Sequence, residues 1–162
     1  MKKGILIKVD KCGGCRECEA ICSWVHGKGV VNPRRAMVAV VKKEREGFLM
    51  PFLCLQCEEP ACKEVCPADA IQTDEETGAL FVDSKSCIGC RLCMISCPFG
   101  AITFSPESRR VIKCDLCKDV ADEPQCVKWC PKEALEYVDW EKVRLRPKES
   151  AVTAFVKKMG EG

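Results

Sequence analysis

The 162-residue chain contains 16 cysteines, and all of them fall into four groups of four. The third group has the spacing C-x2-C-x2-C-x3-C and is followed directly by Pro98. The first group repeats this spacing but carries Ser23 in place of the proline. The middle gap widens to four residues in the second group and to eight in the fourth. In chain order, the groups are Cys12, Cys15, Cys18 and Cys22; Cys54, Cys57, Cys62 and Cys66; Cys87, Cys90, Cys93 and Cys97; and Cys114, Cys117, Cys126 and Cys130. Thiols at this density restrict the chain to a disulfide scaffold or a metal protein.

The cysteine spacing favours [4Fe-4S] clusters over zinc. Three thiolates two residues apart on a tightly turning loop can reach three irons of one cluster, and the fourth cysteine usually serves the other cluster of a pair. A proline after the fourth cysteine disfavours helix there and directs that thiolate away from its own group. A tetrahedral zinc site uses two C-x2-C pairs and has no place for a third cysteine at this spacing. We therefore predict four [4Fe-4S] clusters, with a zinc-binding interaction module as the distant alternative.

Composition and charge narrow the class of function. The apolar run before Lys8 has only three residues, too short for a signal peptide, and no segment approaches the roughly 20 apolar residues of a membrane span. We therefore expect a cytoplasmic protein without a direct membrane span, in which reduced thiols serve as metal ligands. The formal charge is +2, and four oxidised clusters with thiolate ligands would move it to about −6. No basic stripe with interleaved aromatic residues indicates nucleic-acid binding.

Repeated segments predict a duplicated architecture. Similar sequences follow the last cysteine of three groups, at 67–71, 98–102 and 131–135, and the widened gaps of the second and fourth groups share Glu-Pro-x-Cys. One- or two-turn helices are predicted before each Cys-Pro pair. Short strands are predicted at 5–9, 79–83, 102–104, 111–113 and 135–138. The predicted fold class is α+β, with two small units of short strands and helices, each built around a pair of clusters.

Two segments lie outside this repeat. Apolar runs at 37–41 and 48–53, joined by a charged turn at 42–46, predict a small hairpin insertion. Residues 140–162 are predicted to form a C-terminal tail outside the cluster domain of residues 1–139. Within the tail, an amphipathic helix is predicted at 149–159, which either packs on the domain or docks onto a partner. Its apolar face consists of Val152, Phe155, Val156 and Met159.

Several single residues near the cysteines allow two interpretations. His26 is the only histidine and lies in a predicted glycine-rich loop, so a Rieske-type centre, which needs two histidines, is excluded. We expect it to bond the loop or to lie at the surface. Trp24 and Trp129 either shield a cluster from water or pack in a thin core. Three cations close to cysteines either raise cluster potentials or are ordinary surface residues: Lys63, Arg91 and Lys128.

The four groups resemble those of a known family, the four-cluster ferredoxin-like iron-sulfur subunits of molybdenum and tungsten oxidoreductases such as dimethyl sulfoxide reductase and aldehyde oxidoreductase. The resemblance covers residues 5–138 and rests on the order of the groups and the widened gaps of the second and fourth. It implies duplicated ferredoxin-like units in which the first group pairs with the fourth and the second with the third. The implied ligand sets are Cys12, Cys15 and Cys18 with Cys130; Cys114, Cys117 and Cys126 with Cys22; Cys54, Cys57 and Cys62 with Cys97; and Cys87, Cys90 and Cys93 with Cys66.

The same resemblance implies a non-catalytic electron-transfer subunit. Its expected partner is a catalytic subunit with tungsten or molybdenum, similar to aldehyde oxidoreductase and held in a stable complex, with a ferredoxin or flavin subunit as a second electron partner. The alternatives are a free-standing polyferredoxin and the iron-sulfur subunit of a hydrogenase or formate dehydrogenase. A catalytic role of its own is disfavoured, because the sequence has neither a nucleotide-binding glycine motif nor a phosphate-binding loop.

Overall fold

The computed structural model describes residues 2–43, 45 and 47–144. The strands are β1 (Lys3–Ile7), β2 (Val38–Lys43), β3 (Phe48–Leu53), β4 (Ile71–Thr73), β5 (Leu80–Val82), β6 (Ile102–Ser105), β7 (Arg110–Lys113) and β8 (Leu135–Asp139). The α-helices are α1 (Glu17–His26), α2 (Ala61–Glu64), α3 (Leu92–Ser96), α4 (Gln125–Lys128) and α5 (Trp140–Arg144). Short 3-10 turns lie at Val9–Lys11 and Pro33–Arg35. This mixture of short strands and short helices confirms the α+β class.

The strands pair as two-stranded antiparallel sheets. Strands β2 and β3 form the predicted hairpin insertion, with Val38 opposite Leu53 and Lys43 opposite Phe48. Strands β4 and β5 form a hairpin between the second and third cysteine groups, and β6 and β7 form one between the third and fourth. Each hairpin thus connects one cysteine group to the next.

The sheet of β1 and β8 joins distant parts of the chain. Lys3 lies opposite Asp139 and Ile7 opposite Leu135, so the strand before the first cysteine group pairs with the strand after the fourth. The helices follow the same arrangement, because α1 packs against α4 and α2 packs against α3. The fold therefore brings the first group to the fourth and the second to the third.

The core consists of two clusters of buried residues, and each includes cysteines. One cluster is centred on the β2–β3 hairpin and the β1–β8 sheet, where Val38, Leu53 and Leu135 are buried. The other lies between β4–β5 and β6–β7 and includes Ile71 and Ile102. Because the cysteines belong to both clusters, the apolar packing and the thiols share one interior.

Helix α1 is twice as long as the other cysteine-bearing helices. Helices α2, α3 and α4 end before a Cys-Pro pair, whereas α1 passes through Cys22 and continues to His26 because Ser23 replaces the proline. The Ser23 side chain is fully buried; its hydroxyl donates to the Ala20 carbonyl at 2.9 Å and accepts from the Asn32 backbone N–H at 3.2 Å. The prediction that His26 lies in a loop is therefore wrong: it ends a helix that the serine allows to continue.

Most predicted strands are confirmed with shifted boundaries. The first strand begins earlier than predicted and ends at Ile7, since Val9 is already in a 3-10 turn. Strand β2 continues through Lys43, so the first two residues of the predicted charged turn are strand residues. Strand β4 was not predicted. The predicted tail helix at 149–159 lies outside the described residues. No helix within residues 2–43 and 47–144 is long and apolar enough to cross a bilayer.

Candidate metal centres

The first cysteine group and the last cysteine of the fourth group line a common cavity. Its four thiols are those of Cys12, Cys15, Cys18 and Cys130. The loop before α1 turns tightly because Gly14 and Arg16 both adopt positive φ, of 68° and 64°. This turn directs the thiols of the first group inward. On the opposite wall, the Ala134 backbone N–H donates to the Cys130 sulfur at 3.3 Å.

A second cavity repeats this construction with the third group and the last cysteine of the second. Its four thiols are those of Cys66, Cys87, Cys90 and Cys93. Gly89 and Arg91 have φ of 71° and 65°, in the positions that Gly14 and Arg16 occupy in the first loop. The Ala70 backbone N–H donates to the Cys66 sulfur at 3.3 Å, as Ala134 does to Cys130. The two sites therefore share loop conformation and sulfur hydrogen bonding.

The remaining eight cysteines form two further groups of neighbouring thiols. Burial raises the pKa of the Cys62 thiol; Lys113 lowers it, and Cys54, Cys97 and Cys57 raise it as close neighbours. Burial also raises the pKa of the Cys126 thiol well above its ordinary value, and its neighbours Cys114, Cys22 and Cys117 add to this effect. Each of these two thiols, taken with its neighbours, thus includes three cysteines of one group and the last cysteine of another, and the neighbours of Cys126 also include Cys18 of the first group.

Burial of the thiols disfavours free thiolates. Burial raises the pKa of the Cys18 thiol to about 12, and that of Cys22 and Cys93 to about 11, above the ordinary value of 9.0. At neutral pH these groups hold their protons until a metal displaces them. Sets of four thiols with backbone N–H donors to sulfur and apolar walls fit the ligand requirements of a [4Fe-4S] cluster.

The structure also brings a histidine to one of the thiols. The His26 Nε2 atom lies 3.5 Å from the Cys117 sulfur and 3.9 Å from a carboxylate oxygen of Asp115. The histidine is largely buried, so the expected surface position is wrong, and the loop that it contacts is that of the fourth group rather than its own. The contact joins residues 91 positions apart, and no local sequence pattern could have predicted it.

The other residues singled out in the sequence lie mostly at the surface. Arg91 and Lys128 are exposed, with the Arg91 guanidinium 3.7 Å from the centre of the Phe104 ring, and Lys63 is half-buried. Trp24 and Trp129 are 50% and 59% exposed, so packing of these rings in the core is excluded. They line a surface groove between α1 and α4.

Comparison with known proteins identifies the class. The family model described as the 4Fe-4S dicluster domain matches residues 45–140, more than half of the chain. The chain therefore belongs to the 4Fe-4S dicluster family, and its cofactor is of the [4Fe-4S] type.

Individual relatives extend the similarity to nearly the whole chain. The polyferredoxin-like subunit of aliphatic sulfonate oxidoreductase from Pyrococcus furiosus is 39% identical over 78% of this chain and 70% of its own length. Formate hydrogenlyase subunit 2 from Escherichia coli (strain K12) is 33% identical over 86% of this chain and 83% of its own. A chain in the solved active site complex BamBC of benzoyl coenzyme A reductase, bound to 1,5-dienoyl-CoA, superposes with a TM-score of 0.52 at 32% identity. The superposition covers 84% of this chain and 75% of that one.

Proposed function

We propose that residues 1–139 form one domain that holds four [4Fe-4S] clusters in two duplicated, ferredoxin-like units. The observation that carries the proposal is the pair of cavities lined by three thiols of one group and the last thiol of another. The proposed ligand sets are Cys12, Cys15, Cys18 and Cys130; Cys114, Cys117, Cys126 and Cys22; Cys54, Cys57, Cys62 and Cys97; and Cys87, Cys90, Cys93 and Cys66. The matching loop conformations of the two cavities support the duplication.

The chain positions the thiols and controls their surroundings. When bound, each cluster accepts and releases one electron at low potential. Tight turns at Gly14 and Gly89 hold the cysteine loops around their cavities. Backbone N–H groups of Met37, Ala70 and Ala134 donate to cysteine sulfurs at 3.3 Å, which stabilises negative charge on the sulfur. Burial of half of the cysteines limits access of water to the clusters.

The proposed function is electron transfer in an oxidoreductase complex. The chain would relay electrons between a catalytic subunit with a tungsten or molybdenum cofactor and an external carrier, such as a ferredoxin or a flavin subunit, in the cytoplasm. The similarity to the sulfonate oxidoreductase subunit and to a chain of the BamBC complex supports a stable catalytic partner. On this proposal the chain itself catalyses no reaction.

A second candidate is the iron-sulfur subunit of a hydrogenase or formate dehydrogenase system. The specific observation in its favour is the 33% identity to formate hydrogenlyase subunit 2. A free-standing polyferredoxin is the third form of the same electron-transfer function, and it differs only in having no stable partner.

Anaerobic purification of the tagged protein from its native host tests these proposals. We expect brown protein absorbing near 400 nm, about 16 irons and as many sulfides per chain, and a co-purifying catalytic subunit that contains tungsten or molybdenum. A nickel-containing partner favours the hydrogenase alternative, and a monomer without a partner favours the polyferredoxin. Zinc without iron contradicts the cluster assignment altogether.

A further inference from the structure

The structure contains a buried lysine between the cysteine groups. Lys113 ends strand β7, directly before Cys114, and is only 3% exposed. Its ammonium donates to the Leu80 carbonyl at 2.7 Å, the Cys114 carbonyl at 3.1 Å and the Gln56 side-chain oxygen at 3.4 Å. All three partners are neutral oxygens.

Gln56 completes this buried network. It is 2% exposed and lies between Cys54 and Cys57 of the second group. Its amide nitrogen donates to the Cys114 carbonyl at 2.8 Å, and its oxygen accepts from the Leu80 backbone N–H at 2.8 Å. The network therefore joins the loop of the second group to the start of the fourth.

The hydrogen bonds are satisfied, but the charge is not compensated by a carboxylate. Among the residues that the structure describes, no acidic side chain lies within ion-pair distance of the Lys113 ammonium. An unpaired buried charge is expensive unless opposite charge lies nearby. Lys113 thus requires a source of negative charge in its surroundings.

Cysteine sulfurs are the groups that can supply this charge. Burial raises the pKa of both the Cys62 and Cys114 thiols, and the ammonium of Lys113 opposes this increase at each. Cys54 is also a close electrostatic neighbour of both thiols. We call the two sites of the second and third groups inner and those of the first and fourth groups outer. Cys54 and Cys62 belong to an inner proposed ligand set and Cys114 to an outer one, so Lys113 lies where an inner site meets an outer site.

We propose that the fixed charge of Lys113 raises the reduction potentials of the two clusters that meet at the second and fourth groups, so that both are easier to reduce than they would be without it. This inference rests on the proposed four-cluster function. Uptake of an electron adds negative charge to a site, so a nearby buried cation favours the reduced form. The exposed cation Lys128 is screened by water and salt and has little such effect.

Redox titration of the anaerobically purified holoprotein, followed by electron paramagnetic resonance, tests the proposal. In Lys113→Met, which keeps an unbranched side chain of similar length but removes the charge, we expect two of the clusters to become harder to reduce. At a fixed potential their ratio of reduced to oxidised form should fall at least about tenfold, which corresponds to about 59 mV for one electron. Lys128→Met is the matched control, and its four potentials should equal those of the parent.

A second variant separates charge from packing. Gln56→Glu keeps Lys113 and nearly the same volume but places a carboxylate beside the ammonium, and it should lower the same two potentials. Full iron content with unchanged potentials in either variant overturns the proposal. Loss of iron from both variants means that Lys113 has a structural role, and this result also overturns the proposal. A parent protein without four-iron clusters instead refutes the proposed function before any variant is made.

Discussion

Substitution of Ser23 by proline restores the Cys-Pro pattern of the other groups, and we expect it to damage the protein. Residue 23 lies inside α1, where proline removes a helical hydrogen bond and clashes with the preceding turn, at a cost of about 3 kcal/mol. Loss of the hydroxyl removes an additional donor to the Ala20 carbonyl and leaves the Asn32 N–H without its partner, which adds roughly 1–2 kcal/mol. The total loss in free energy of unfolding is about 4–5 kcal/mol.

Ser23→Ala is the matched control, because it removes the hydroxyl but keeps the helix. It should lower the free energy of unfolding only by the amount due to the lost hydroxyl, roughly 1–2 kcal/mol. With a slope of about 2 kcal/mol per molar urea, Ser23→Pro should lower the midpoint of anaerobic unfolding by about 2 M and Ser23→Ala by less than about 1 M. Unfolding is followed by loss of cluster absorbance. Equal midpoints for the two variants would refute the view that α1 must continue through this position.

Three further predictions concern the cysteine sites. Cys97→Ala should lose the cluster of Cys54, Cys57 and Cys62 and keep that of Cys87, Cys90 and Cys93. The iron content should then fall from about 16 to about 12 per chain. Electron paramagnetic resonance that shows loss of the other cluster instead contradicts the proposed ligand sets. Gly89→Ala places a Cβ against the Arg109 carbonyl oxygen, whereas Gly100→Ala, at a similar φ, meets open space. In urea unfolding, Gly89→Ala should have a free energy of unfolding lower than that of Gly100→Ala by roughly 2 kcal/mol. Equal stability of the two variants would count against the close approach. Removal of iron by an anaerobic chelator should abolish near-ultraviolet circular dichroism and cooperative melting, since cluster binding contributes to folding; a cooperatively folded iron-free chain would exclude this.

The sequence is informative about this fold where its signals are local. Cysteine spacing predicted the groups, and apolar runs predicted the hairpin of β2 and β3. Strand β4 was missed because it has only three residues and one buried apolar side chain, Ile71, so its formation depends on pairing with β5. The length of α1 could have been predicted from Ser23, since the absence of proline removes the signal that ends the other helices.

Residues that depend on tertiary contacts could not be predicted in this way. Lys113 has no local feature that distinguishes it from the exposed lysines, because its burial is produced by Gln56 and Leu80 from other parts of the chain. His26 reaches Cys117 only because α1 packs against α4 and the segment before it. For the two tryptophans the sequence left cluster shielding and core packing open, and only tertiary structure excludes core packing, since both rings are half-exposed or more.

The pairing of β1 with β8 has a consequence for synthesis of the protein. On the proposed ligand sets, the inner two sites have all their cysteines once the ribosome has translated residue 97. The outer two sites require Cys126 and Cys130, and the sheet that holds them together closes only with Leu135 to Asp139. The first cysteines to leave the ribosome are therefore among the last to be enclosed. Until then, the thiols of the first group are open to solvent and oxidants. We therefore expect maturation of the protein to proceed from the middle of the chain outward.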